Sequence, residues 1–261
     1  MRSILVQGGR DQAMTARLDT ALDLARTHEG HVTIVIDTPI DRFVTVDPYG
    51  GTYVAREALD SAIAADDDLA KAFAGRLEAD DVPFDVVQFE TQPLEAMLAA
   101  ARLADIAVVS RTCGYAGDLA LEAKCPVLVL PSDQRIVFPL KTACIAWDGS
   151  DEAAAALRGC TRLLWGCSEV HVLTVVSDKL NGFPPTDALR YLSRHDIKAE
   201  LHELAKAGSI EETLAGAVAR LGADLLVMGA FGHSRLREFM FGGVSRYFLE
   251  RENGPALLMA H

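Results

Sequence analysis

Two rhythms of apolar residues alternate along the chain. Short, mostly apolar runs read as strands: SILVQGG at 3–9, HVTIVID at 31–37, PFDVVQFE at 83–90, DIAVVS at 105–110 and CPVLVLP at 125–131. Between them lie MTARLDTALDLART, a long stretch near 52–79 and PLEAMLAAARLA at 93–104, where apolar residues recur every three or four positions. That spacing keeps one face of a 3.6-residue turn apolar and predicts helices. The second half repeats the order: TACIAW, AAAALRGCTRLLW, EVHVLTVVSD, a shorter TDALRYLSRH, KAELHELAKAG, IEETLAGAVARLGA, DLLVMG and a terminal GPALLMAH. Strands alternating with helices of ten or more residues mark βαβ units on a parallel sheet. VLTVV, IAVVS and DLLVM are apolar throughout, as central strands are when helices cover both sheet faces. The pattern predicts an α/β protein of two tandem doubly wound parallel-sheet domains, residues 1–131 and 142–261. The two prolines and polar cluster of PSDQRIVFPLK place a linker at 132–141.

Composition narrows the classes. Half of the 261 residues are apolar, ample for a packed core, but no run approaches the ~18 residues of a membrane span. The N-terminal MRSILVQGGRD turns polar too early for a signal peptide, so a soluble cytoplasmic protein without a membrane partner is expected. Cys113, Cys125, Cys144, Cys160 and Cys167 form an odd set without metal-ligand spacing, and read as small buried hydrophobes.

The net charge of −12 argues against nucleic acid as a partner. Its distribution is uneven. Residues 1–131 carry 11 Lys and Arg against 21 Asp and Glu, whereas residues 132–261 carry 14 against 16. Within 229–253, Arg235, Arg237, Arg246 and Arg251 outnumber three acids.

Ligands of open parallel sheets bind beyond the carboxyl ends of the strands. TACIAW runs straight into Asp148, Gly149, Ser150 and Asp151. Ser150 is placed to cap the following helix. Asp148 reads either as turn chemistry or as a carboxylate accepting hydrogen bonds from a ribose or base. DLLVM runs into GAFGHSRLREFMFGGVSRYFLE at 229–250. Gly229 and Gly232 would permit left-handed backbone and close approach to a ligand. Gly242 and Gly243 precede a segment in which Val244, Tyr247 and Phe248 share one helical face. A helix starting there aims unpaired amides and a positive dipole end back at the loop, a site for a phosphate-sized anion.

On these residues, and over nearly all of both halves, the chain resembles a tandem universal stress protein. The fold so implied is adenine-nucleotide alpha hydrolase-like, with two copies related by a pseudo-two-fold axis. Family members that bind ATP carry G-x2-G-x9-G-[ST] after the fourth strand, and Gly229, Gly232 and Gly242 match its spacing. The resemblance implies that Ala146, Trp147 and Asp148 border the adenosine and that Val175 contacts adenine through its backbone. Met228, Gly229 and Gly232 would line the ribose and first phosphates, and Gly242, Gly243, Val244 and Ser245 would cradle the phosphate chain. His233, in the same loop, would add a donor to phosphate. Gly243 stands where the family has Ser or Thr, which removes one hydroxyl at a cost of about 1 kcal/mol or a few-fold in affinity.

The first half departs further. Gln7 and Gly8 stand where the acidic residue is expected, and 14 residues separate Ser110 from Cys125 against 24 between Gly229 and Gly254. This half is expected to bind no nucleotide. The implied function is a cytoplasmic stress-response module that binds ATP, or alternatively ADP or AMP, in its C-terminal domain, with Mg2+ an option alongside ATP, and is read by a regulatory protein partner. Two alternatives stand beside it: a scaffold with a vestigial site, and a slow nucleotide hydrolase using His233. No Walker A or kinase motif supports efficient phosphoryl transfer. The resemblance implies pairing of the two halves through CPVLVLP and GPALLMAH, an intrachain pseudo-dimer, with a homodimer as a further option. The long segment 38–82 is open between a lid, an oligomer contact and a longer helix with a solvated DDD face at 66–68.

Overall fold

A computed structural model describes residues 1–46, 52–131, 134–176, 182–230, 243–251 and 253–261. The first half runs β1 (Ser3–Gln7), α1 (Met14–His28), β2 (His31–Asp37), β3 (Val44–Val46), β4 (Thr52–Val54), α2 (Arg56–Leu77), β5 (Phe84–Phe89), α3 (Pro93–Ala100), β6 (Ile106–Ser110), α4 (Ala116–Glu122) and β7 (Val127–Leu130). The second runs β8 (Thr142–Ala146), α5 (Asp151–Cys160), β9 (Glu169–Val175), α6 (Pro185–Ser193), β10 (Glu200–Leu204), α7 (Ile210–Leu221), β11 (Leu225–Gly229), α8 (Gly243–Glu250) and β12 (Ala256–Ala260). Among the described residues no helix is long and apolar enough to cross a membrane.

Ten strands form one sheet in the order β10-β9-β8-β11-β12-β7-β6-β1-β2-β5. Its two halves have the same internal order, read outward from the middle. Every pairing is parallel except the central one, where β12 and β7 run antiparallel with Leu258 opposite Leu128. Equivalent last strands thus meet about a local two-fold, and the expected junction of CPVLVLP with GPALLMAH is the bond that makes one sheet of two units. Both are fully buried, because pairing removes the exposed edge that each half would otherwise present.

Side-chain alternation divides the core into two layers. Leu18, Leu22, Leu77, Leu157 and Leu192 pack from α1, α2, α5 and α6 onto one face. Met97, Leu119, Leu214, Val218 and Phe248 pack from α3, α4, α7 and α8 onto the other. β6 is buried at every position because Ile106 and Val108 serve the first layer and Ala107 and Val109 the second. Cys125, Cys144 and Cys160 are buried, Cys113 and Cys167 half-buried, and all five are free thiols. Burial pushes the Cys125 thiol up to about 11 and the Cys144 thiol up to about 12.

Two segments differ from a plain reading of the sequence. Residues 134–140 are packed down: Ile136 N donates to Thr20 Oγ1 at 3.0 Å, Phe138 N donates to Asp23 Oδ2, and Leu140 is buried. In the long segment, the short antiparallel pair β3–β4 precedes α2, and the acidic triplet is not wholly solvated. Asp66 is buried, accepting from Thr38 Oγ1 at 2.6 Å and from Arg10 Nη1 at 2.9 Å. That carboxylate docks α2 over the ends of β1 and β2. Asp67 and Asp68 are exposed, as expected.

Candidate functional site

In each half the chain order reverses across one strand pair. β8 connects outward to β9 and β10, and the chain then returns to β11 on the other side of β8. The β8/β11 boundary is therefore the switch point of the second half, and β1/β6 that of the first. A crevice at the carboxyl edge is expected there, because the loops of the two strands leave in opposite directions.

The second switch point brings together segments some eighty residues apart. Val227 lies opposite Ile145, so the loop after Ala146 and the end of β11 are neighbours. Ala146, Val175 and Val244 are half-buried against the α7/α8 layer, to which the buried Met228 belongs. Trp147 differs from expectation. Its indole is buried in the α5/α6 layer and donates from Nε1 to Phe183 O at 3.0 Å, so only its backbone faces the carboxyl edge.

Asp148 is exposed and makes the turn chemistry foreseen for it: Oδ1 accepts from Ser150 N at 3.0 Å and from Ser150 Oγ at 2.6 Å. Ser150 Oγ in turn accepts from Ala153 N and caps α5. The carboxylate is thus held at the strand end rather than left to sample rotamers. Gly149 has φ +79° and Gly182 φ +118°, and a Cβ on either would meet the other loop's backbone within 2.5 Å. This backbone contact fixes the rim of the crevice. The sequence reading missed it; the Gly182-Phe183-Pro184-Pro185 run was its one local signal.

Gly229 serves a different purpose from the one read in the sequence. It ends β11 without a left-handed backbone, and a Cβ there would lie 2.7 Å from Ala153 N. Glycine is required because the first turn of α5 presses on the strand. Gly232, His233 and Gly242, with Arg235 and Arg237, lie outside the described residues. α8 is described from Gly243 onward, with Gly243 exposed and Ser245 buried. A Cβ on Gly243 would stand 3.4 Å from Glu211 Oε1, an ordinary contact. Glu211 belongs to the first turn of α7, whose cap Ser209 and Glu212 form a reciprocal capping box.

The first switch point is filled. Arg17 is 1 % exposed; its Nε donates to Gln7 O at 3.0 Å, and its guanidinium reaches Ser110 Oγ and pairs with Asp11 at 2.6 Å. One α1 side chain therefore ties the end of β1 to the end of β6. Register corrects the alignment of the halves. Gly8 N donates to Val35 O as Trp147 N donates to Leu173 O, each accepting strand being at its fifth residue. Gly9 thus takes the place of Asp148. A side chain on Gly9 would run into Asp11 Oδ2 at 2.7 Å. Burial pulls the Asp11 carboxyl up, but the Arg17 hydrogen bond and charge outweigh it and hold Asp11 below the usual range. The same register sets Arg17 against Ala156 of α5, equally buried at 1 % and within the run Ala153–Ala156.

A tandem α/β molecule with Arg17 filling one of its two switch points is the class that these features define. Residues 139–259 match the universal stress protein family. Over its whole length the chain is similar to the crystal structure of a universal stress protein from Archaeoglobus fulgidus DSM 4304, at 15% identity and TM-score 0.72, covering 98% of this chain and 97% of that one. It is also similar to a functionally unknown protein from Pseudomonas aeruginosa PAO1, at 14% identity and TM-score 0.61, covering 100% and 92%. No curated protein matches the chain in sequence. The family match therefore falls on the second half, and the whole chain shares the fold of the full-length structures.

Proposed function

We propose that the protein binds one adenine nucleotide per chain, ATP in the first instance, at the β8/β11 crevice, and serves as a cytoplasmic stress-response module whose nucleotide state a partner protein reads. One observation carries this reading. Strand ends and loops distant in sequence, ending in Asp148 and in Met228–Gly229, converge on a single switch point whose rim is built from backbone brought close by glycines. The donor set suits the ligand: a fixed carboxylate for ribose or base, and the amide end of α8 for phosphate. Met228 would flank the ribose, Val175 the base, and Gly243, Val244 and Ser245 the phosphates. Gly232, Gly242 and His233 would complete the loop. The first half would act as a structural partner, because Arg17 occupies the equivalent space.

A second reading has a specific observation in its favour. Glu211 places a carboxylate beside Gly243, where it suits the α8 dipole and repels an unaccompanied phosphate. That neighbour favours either Mg2+ alongside ATP or a scaffold with a vestigial site. The slow-hydrolase alternative rests on His233. Mass spectrometry of the small molecules released by denaturing freshly purified protein separates these readings. The proposal expects an adenine nucleotide approaching one equivalent per chain. Absence of any nucleotide, with no saturable uptake at millimolar ATP, ADP or AMP, would leave the scaffold.

A further inference from the structure

The edge of the second half carries a cluster that the nucleotide reading does not use. On β10, Glu200 and His202 are two residues apart and project to the same side of the sheet, and His171 on β9 lies directly opposite Glu200. Three donors therefore converge. His171 Nδ1 is 3.0 Å from His202 Nε2 and 3.9 Å from Glu200 Oε2, and His202 Nε2 is 3.8 Å from Glu200 Oε1. We infer that His171, His202 and Glu200 form a binding site for a divalent transition metal of the zinc class.

The dimensions fit that ion. Zinc bonds of about 2.0–2.2 Å to nitrogen and oxygen in tetrahedral geometry place donor atoms ~3.4 Å apart. The three distances here bracket that edge, the two to Glu200 being to different carboxylate oxygens, and a turn of this exposed carboxylate brings one oxygen to both imidazoles. Two imidazoles and one carboxylate, with a fourth position left to water, make a donor set that zinc accepts and that magnesium or calcium, which prefer all-oxygen cages, do not.

A second, independent observation points the same way. His171 is 7 % exposed, and its outer nitrogen Nε2 is buried without a hydrogen-bond partner among the described residues. The Glu169 carboxylate stands 3.7 Å from it, on the same side of β9. A metal on Nδ1 fixes the proton on Nε2 and gives Glu169 a hydrogen to accept, the carboxylate–histidine–metal relay that orients such ligands. Without a metal, the two histidines share one hydrogen bond and Nε2 stays orphaned, a cost that a buried polar atom ordinarily avoids. The set lies at the outer edge of the sheet, with Glu200 exposed and His202 partly so, so the ion would exchange with solvent.

Calorimetric titration of the metal-stripped full chain with zinc chloride tests the site, with cobalt(II) absorption as a readout of geometry. The expected result is one zinc per chain at about micromolar affinity or tighter. Cobalt should give the intense visible bands of a tetrahedral complex. His202→Ala should lose more than the roughly 10–100-fold that loss of an outer partner costs, and Glu169→Gln should lose about tenfold. Glu200→Gln, at an exposed position, preserves the fold and should also weaken uptake and abolish the tetrahedral spectrum. Wild-type binding weaker than about 0.1 mM would overturn the assignment. So would His202→Ala and Glu200→Gln, both folded by circular dichroism, binding zinc as wild type does.

Discussion

Arg17 decides more about this molecule than any residue that the glycine spacing singled out. Its guanidinium is buried, its partner Asp11 half-exposed, and the pair closes the first switch point. Removing one member of a buried ion pair costs about 3–5 kcal/mol, and Asp11's access to water puts Arg17→Met near the lower end, about 3 kcal/mol. The folded-state pKa of Asp11 is depressed, so the pair's contribution is fully present above the ordinary aspartate range and is lost as pH falls through the lower, folded value. Urea unfolding should accordingly show the wild-type advantage over Arg17→Met whole at pH 7 and shrinking below about pH 4. A gap that stays constant to pH 2 would mean that Asp11 is not what holds Arg17. The residue escaped the sequence reading because an arginine within MTARLDTALDLART looks like an ordinary polar position of an amphipathic helix. Only the register that sets Ser110 beside the end of β1 shows where it points.

At the scale of elements, the join between the two last strands came from the family resemblance. The alternation of apolar rhythms was sufficient for the order and type of most elements, though not for α4. The reason is physical: strands buried on both faces must be apolar throughout, and CPVLVLP and GPALLMAH stay so although each would end a free-standing unit. β3–β4 was not legible, because two three-residue strands carry too little periodicity to stand out from a loop. The burial of Asp66 was hidden too, since three consecutive aspartates suggest a solvated face until Arg10 and Thr38 are found beneath one of them. Within the candidate site, the turn at Asp148 was readable from local chemistry, whereas the inward turn of Trp147 and the Gly149–Gly182 contact depend on tertiary packing. If the β7–β12 join makes one cooperative unit, Leu258→Ala should cost about 3 kcal/mol and shift both halves in a single unfolding transition. Far-ultraviolet circular dichroism with a probe in each half checks this, and two separated transitions would contradict it.

At the scale of the whole molecule, duplication has produced asymmetry. One sheet carries two equivalent switch points, and the chain has filled the first with Arg17 while lining the corresponding turn of α5 with alanines. Arg111 helps hold the halves together. It is the residue after β6, and it reaches across the junction to donate to Pro255 O at 2.7 Å and to Arg251 O. Burial, and then the nearby charge of Arg251, lower its pKa, and both its Nη groups are met by backbone carbonyls of the other half. The proposed function accordingly expects a single nucleotide per chain, with the first half as support. Calorimetric titration of the full chain with ATP tests this most directly, alongside Ala156→Arg, which sets an arginine at the α5 position matching Arg17. The account predicts one ATP per chain for the wild type and none for folded Ala156→Arg; two sites, or undiminished binding by that variant, would contradict it.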